Sequence, residues 1–215
     1  MPFKISASLA SSPLAHLEKT LRELVTAGAD YIHFDVEDGS FVPAMTLGTR
    51  LIPALRPFTS LPFDVHLMMA SPEWILPELV GGGADRISVH YEACAYPRRV
   101  LRQIVSLGAQ AGLAFNPATP LPDLAYLAPY LSFIVILTTE PEGPDCPFLP
   151  EMLEKIRAGR QACGLEGLKW VADGGITPEN AARVAAAGAD TLVVGRALFA
   201  GDRIAENLAA LRRAA

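Results

Sequence analysis

At 215 residues, 51% of them apolar and 19% charged, the chain has the make-up of a folded globular protein with one sizeable core. Its net charge of −5, from 18 Lys+Arg against 23 Asp+Glu, and the lack of any dense basic run exclude a nucleic-acid or membrane-surface partner. No run approaches the roughly 20 apolar residues of a membrane span, the start Met1-Pro2-Phe3-Lys4 lacks a signal-peptide profile, and Cys94, Cys146 and Cys163 stand in no metal-type spacing, all of which fits a reducing cytoplasmic setting.

Residues 4–8 read as a first strand, ending at Ser8. Ser11-Ser12-Pro13 predicts a helix start, with Ser12 as N-cap and Pro13 at the first helical position. Leu14, Leu17, Leu21 and Leu24 continue it as an apolar stripe at helical spacing, and Gly28 can take the left-handed cap. Asp30 then opens a strand over 31–36, and further strand-like runs follow at 63–67, 86–90, 111–115, 133–137, 169–172 and 191–194, separated by helical stretches. The last helix starts near Asp202.

One junction recurs. Ala27-Gly28-Ala29-Asp30, Gly82-Gly83-Ala84-Asp85 and Ala187-Gly188-Ala189-Asp190 are near copies, with Leu107-Gly108-Ala109-Gln110 a looser fourth. Each ends a helical stretch and opens an apolar β-branched one, the mark of repeated βα units on a parallel sheet. Eight such units in about 200–250 residues predict a TIM (β/α)8 barrel, as one domain over residues 1–215, with an open doubly wound sheet as the runner-up.

In a barrel the reactive groups sit at the C-terminal strand ends. There the sequence has Ser8, His33 with Asp35, His66, His90, Asn116 and Asp173. His16, on the first helix, is expected to be solvated. Alternation along a strand turns His33 and Asp35 to one face and Phe34 and Val36 to the other. His33, Asp35, His66 and Asp173 form a two-imidazole, two-carboxylate set able to hold Zn²⁺, Mn²⁺, Fe²⁺ or Co²⁺. Taken singly, each aspartate is better read as orienting a histidine or capping a helix. As a set, they suit proton abstraction beside a carbonyl, one carboxylate on each face. Gly174-Gly175 after the seventh strand and Gly195-Arg196 after the eighth suit an anion such as phosphate, since glycines let backbone N–H groups approach it and Arg196 adds a bidentate donor.

With these motifs in order, the sequence resembles the ribulose-phosphate 3-epimerase family over nearly its whole length. The resemblance is carried by His33-Phe34-Asp35-Val36-Glu37-Asp38-Gly39-Ser40-Phe41-Val42-Pro43, Asp64-Val65-His66-Leu67-Met68, Val89-His90-Tyr91-Glu92-Ala93, Asn116-Pro117-Ala118-Thr119-Pro120 and Asp173-Gly174-Gly175-Ile176. It implies a TIM barrel that epimerises C3 of a phosphorylated ketose, by default the D-ribulose 5-phosphate/D-xylulose 5-phosphate pair, with one divalent metal. By resemblance His33, Asp35, His66 and Asp173 are ligands, and Asp35 and Asp173 are the opposed proton carriers working through an enediolate. Ser8 and His66 contact substrate, and Gly174, Gly175, Gly195 and Arg196 surround its phosphate. A homo-oligomer is expected.

The sequence also departs from the family's pattern. Where the family has a Gly-Phe-Gly-Gly phosphate loop after the sixth strand, this chain has Glu142-Gly143-Pro144-Asp145. There Pro144 removes a donor, and the two acids repel a phosphate if they face it. Glu37 stands in place of a Met, making it a possible metal or substrate contact or else a solvent-facing end, while Leu137 replaces another Met and Ser40 and Ala44 replace a His and an Asn. A different ketose (another sugar phosphate, a sugar acid or a free sugar) is therefore an alternative, and a non-catalytic sugar-phosphate-binding barrel is another.

Overall fold

The computed structural model describes residues 3–141 and 146–214. The strands are β1 (Lys4–Ser8), β2 (Tyr31–Glu37), β3 (Phe63–Met68), β4 (Arg86–His90), β5 (Gln110–Phe115), β6 (Phe133–Leu137), β7 (Lys169–Asp173) and β8 (Thr191–Val194), all within a residue of the runs read from sequence. They pair in parallel, each with the next, and β8 closes on β1 through Lys4–Thr191 to Ala7–Val194. The protein is a TIM barrel. Around it lie α1 (Leu17–Ala27), α2 (Leu51–Leu55), α3 (Leu76–Gly81), α4 (Pro97–Ser106), α5 (Met152–Cys163), α6 (Pro178–Ala186), α7 (Arg196–Phe199) and α8 (Ile204–Arg213). None of the described helices is long and apolar enough to cross a membrane.

Outward side chains of the strands, such as Ile5, Ile32, Phe34, Val65 and Trp170, pack beneath the helices in one fully buried layer. Burial at about 25 cal/mol per Å² of apolar surface makes this shell the main source of stability. Inside the barrel the two halves differ. β1 to β4 turn Ser6, His33, Asp64, His66, Arg86, Ser88 and His90 inward, all buried. The β5–β8 half contributes an apolar cluster that includes Ala114, Phe133, Val135, Val171 and Val193. Phe133 reaches across the floor over Gly112, where an added Cβ would lie 2.3 Å from its ring.

The recurrent Gly-Ala-Asp junctions prove to be fastenings. The glycines Gly28, Gly83 and Gly188 have φ of 86°, 104° and 110°, the left-handed conformation that ends each helix with least strain. Two residues on, each aspartate accepts the backbone N–H that begins the preceding strand: Asp30 from Ile5 (2.7 Å), Asp85 from Phe63 (2.7 Å) and Asp190 from Trp170 (2.8 Å). Arg212, Arg56 and Arg160 respectively pair with the same carboxylates.

Two expectations are corrected. The first helix does not start at Pro13, which is extended (ψ 91°); a 3-10 turn, Leu14–His16, precedes α1. The Ser12 hydroxyl donates to the Leu9 carbonyl at 2.7 Å and lies too far ahead of α1, which begins at Leu17, to cap it, and Leu14 is left exposed outside the buried stripe. Between β5 and β6 there is no α-helix, only the 3-10 turn Ala128–Tyr130. Pro117, Pro120, Pro122 and Pro129 withhold the donors and restrict the torsions a helix needs. This connection is instead fastened by Lys155, whose Nζ donates to the carbonyls of Asn116 (2.7 Å), Pro117 (3.3 Å) and Thr119 (2.5 Å).

Candidate active site at the C-terminal end of the barrel

Because strands 2, 3 and 7 all end at the same mouth, closure of the barrel brings together residues far apart in the chain. The ligand-type atoms of His33, Asp35, His66 and Asp173 lie within 4.8 Å of one another. His33 Nε2 is 3.1 Å from Asp35 Oδ1 and 3.6 Å from Asp173 Oδ2. His66 Nδ1 is 3.2 Å from Asp173 Oδ2 and 3.6 Å from Asp35 Oδ1.

What lies behind these groups decides what they offer. The His33 Nδ1–H donates at 2.9 Å to Asp64 Oδ2, so in the neutral ring Nε2 carries the lone pair that faces the two carboxylates. Asp64 is itself buried and held as an anion. Burial opposes its ionisation, but the Arg86 charge first, then His33 and hydrogen bonds from His33 and Ser6, hold its carboxyl well below the usual range. Ser6 donates to Asp64 Oδ2 at 2.7 Å and Arg86 Nε to Oδ1 at 2.8 Å. On the other side His66 Nε2 lies 2.9 Å from His90 Nε2, the two rings within 19° of parallel and meeting edge to edge with centroids 4.9 Å apart, and His90 Nδ1 lies 3.2 Å from Glu92 Oε2. Burial and the neighbouring His66 bring His90 down to about 4 despite Glu92, so it is neutral at physiological pH.

Four acceptors aimed at one point repel unless something positive lies between them. Burial alone would keep protons off both imidazoles. Even so, the charge of Asp35 and then Asp64 raises His33 well above its ordinary value, and hydrogen bonds to Asp173 and Asp35 raise His66 to about 9. That is the demand of the donor set for positive charge, which two protons or one divalent cation can meet. Two imidazole nitrogens and two carboxylate oxygens fit Zn²⁺, Mn²⁺, Fe²⁺ or Co²⁺.

Above this cluster opens a cavity of about 990 Å³, lined by Ser8, Asp35, Glu37, Asp173, Gly174, Gly175, Gly195 and Arg196. The structure thus gathers all ten sequence-selected residues at one mouth, with His33 and His66 buried beneath it. Met68, Leu137, Val42 and Val193 form the apolar part of the wall. Ser8 Oγ donates to Asp35 Oδ2 at 2.7 Å, so its first partner is the carboxylate. Gly174 and Gly175 have φ of 112° and 66°, and a Cβ on Gly174 would lie 2.4 Å from Thr139 Oγ1. These glycines are required by the backbone itself. Glu37 stays outside the four-residue cluster. Its Oε2 accepts the Thr46 N–H at 2.6 Å and so pins the loop after β2 over the cavity. Asp38 supports that loop by accepting the N–H groups of Ser40, Phe41 and Ala70. Residues 142–145, the altered stretch after the sixth strand, lie outside the described residues.

Sequence reasoning assigned no role to Asp64, Arg86, Ser6 or Glu92. Strand parity carries the signal for the first two: Asp64 shares a face with His66, and Arg86 with His90. His16 is exposed, as expected.

Comparison with known proteins agrees with this geometry. The ribulose-phosphate 3 epimerase family model matches residues 4–199. The chain is 42% identical over 212 residues to the ribulose-phosphate 3-epimerase of Synechocystis sp., covering 97% of this chain and 92% of that protein. It is 39% identical over 212 residues to the chloroplastic ribulose-5-phosphate-3-epimerase of Arabidopsis thaliana, covering 97% and 75%. Among solved structures, 3-hexulose-6-phosphate synthase from Salmonella typhimurium superimposes with a TM-score of 0.72 at 15% identity, over 99% of this chain and 98% of that one, which is a likeness of fold.

Proposed function

This chain belongs to the ribulose-phosphate 3-epimerase family, and from that membership we propose that it is a metal-dependent ketose-phosphate 3-epimerase whose substrate pair is D-ribulose 5-phosphate and D-xylulose 5-phosphate. The observation that carries the reading is the meeting of Asp35 and Asp173 with two buried imidazoles at the floor of one cavity. A divalent cation held by His33, Asp35, His66 and Asp173 supplies Lewis acidity, which makes the C–H beside a ketone easier to ionise.

The chain's own residues do the rest. Asp35, oriented by the Ser8 hydroxyl on Oδ2, takes the C3 proton from one face of the sugar. Asp173 gives a proton to the opposite face of the planar enediolate, and C3 is inverted; in the reverse direction the two exchange roles. The apolar wall of Met68, Leu137 and Val193 keeps water from the carbanionic carbon. Gly174, Gly175, Gly195 and Arg196 take the phosphate with backbone N–H groups and a guanidinium.

One observation favours a second reading with the same chemistry on another ketose: Glu37 lines the cavity, an acid where the family has a Met. A non-catalytic sensor is disfavoured because binding alone has no use for two opposed carboxylates. The test is NMR in D₂O on metal-reconstituted protein with a panel of phosphorylated and free ketoses. Deuterium should enter C3 of D-ribulose 5-phosphate as its epimer grows. Asp35→Asn and Asp173→Asn should each lose about 10²–10⁴-fold, with ion content measured alongside. Exchange confined to another ketose would move the substrate assignment. No exchange with any of them, ion bound, would overturn the enzyme reading.

A further inference from the structure

Two motifs quoted from the sequence, Val89-His90-Tyr91-Glu92-Ala93 and Asn116-Pro117-Ala118-Thr119-Pro120, have no part in the chemistry above. The structure joins them. Glu92 Oε1 accepts the Asn116 N–H at 2.8 Å, at the start of the connection fastened by Lys155, and Glu92 Oε2 lies 3.2 Å from His90 Nδ1. His90 is buried and reaches His66, also buried, through a contact of 2.9 Å between their Nε2 atoms.

A carboxylate can only accept, so the proton of neutral His90 must lie on Nδ1, pointing at Glu92. His90 Nε2 is then a lone pair. The facing His66 Nε2 must carry a hydrogen, because two lone pairs at 2.9 Å would repel. With Nε2 protonated, His66 presents the lone pair of Nδ1 to the point where Asp35 and Asp173 converge. Each link leaves one choice to the next.

We propose that Glu92 and His90 form a tautomer relay, in which Glu92, two hydrogen bonds removed from the cluster, makes His66 an Nδ1 ligand. Asp64 does the same for His33 in a single step and makes it an Nε2 ligand. The two histidines thus bind through different nitrogens, and Glu92 is a positioning residue that touches neither ion nor substrate. The relay rests on the metal site proposed above.

The test needs no variant at first. Protein labelled with ¹⁵N-histidine and loaded with Zn²⁺ should show, in long-range ¹H–¹⁵N spectra, His90 protonated on Nδ1, His66 protonated on Nε2 and His33 protonated on Nδ1. In Glu92→Ala, His90 should move its proton to Nε2 and Zn²⁺ affinity should fall about 10–100-fold, as for loss of an outer partner of a metal-bound histidine. A bound ion with His90 protonated on Nε2 in the unaltered protein overturns the relay alone. So does unchanged Zn²⁺ affinity in folded Glu92→Ala. Failure of the unaltered protein to bind Zn²⁺ overturns the metal site and the relay with it.

Discussion

Replacing Asp64 by Asn changes one atom of the barrel floor and should cost more than any surface substitution. Asp64 Oδ1 accepts from Arg86 Nε at 2.8 Å, and Oδ2 accepts from Ser6 Oγ at 2.7 Å and His33 Nδ1 at 2.9 Å. An amide has one acceptor oxygen, so its NH₂ must face at least one of these donors. Arg86 is 4% exposed and its Nη2 has no hydrogen-bond partner among the described residues. Apart from Asp64, its guanidinium lies among the described residues on the ring faces of Phe133 and Tyr31, at 4.1 and 4.5 Å. Stranding a buried charge in this way costs about 3–5 kcal/mol, a large share of the roughly 5–15 kcal/mol of a typical domain. Urea denaturation with a chelator present, so that ion binding adds nothing of its own, should show a midpoint lower by on the order of 1–2 M. Adding Arg86→Met should recover at least about 2 kcal/mol, because removing the orphaned charge matters more than restoring the pair. A single-variant cost below about 1 kcal/mol, or a double variant no more stable than the single, would refute this account of the floor.

Glu37→Ala should free the Thr46 amide, and its hydrogen exchange should quicken about tenfold, the worth of one hydrogen bond to a carboxylate, while Glu37→Gln keeps most of the protection. Unchanged exchange at Thr46 would show that the loop is held by other contacts. Gly112→Ala places a methyl 2.3 Å from the Phe133 ring, for an overpacking cost of about 1–3 kcal/mol that Phe133→Leu should relieve. A wild-type melting temperature in Gly112→Ala would count against the tight floor.

The strands were legible because each is a short run rich in apolar residues, three of them opened by a Gly-Ala-Asp junction, and a parallel barrel buries their outer faces. Tyr31 to Val36 is read almost to the residue for this reason. Pro13 misled because a proline after serines suits a helix start, and only the structure shows Ser12 spending its hydroxyl on Leu9. The metal-type cluster could be guessed from residue types at strand ends. That Asp173 meets His66 across 107 residues depends on closure, which no local pattern contains. Asp64 and Arg86 escaped notice because polar groups at a strand's start look solvated. In a closed barrel that level is the interior floor, and charge there must be paired.

The aspartate fastenings carry a consequence for how the barrel divides. They tie β1 to β2, β3 to β4 and β7 to β8, always from an even-numbered strand back to its predecessor. Ser132 stands where the β5–β6 counterpart would be, and that is also the connection without an α-helix. The unit of construction is therefore a pair of strands, and the molecule is a ring of four quarters, one of which has lost its clasp. Each clasp sits about 17 Å along its strand from the chemistry, five residues at roughly 3.3 Å each in β2. A quarter copied or exchanged brings its clasp with it, and the seams between quarters are where such a ring can be cut and rejoined while the mouth stays unaltered.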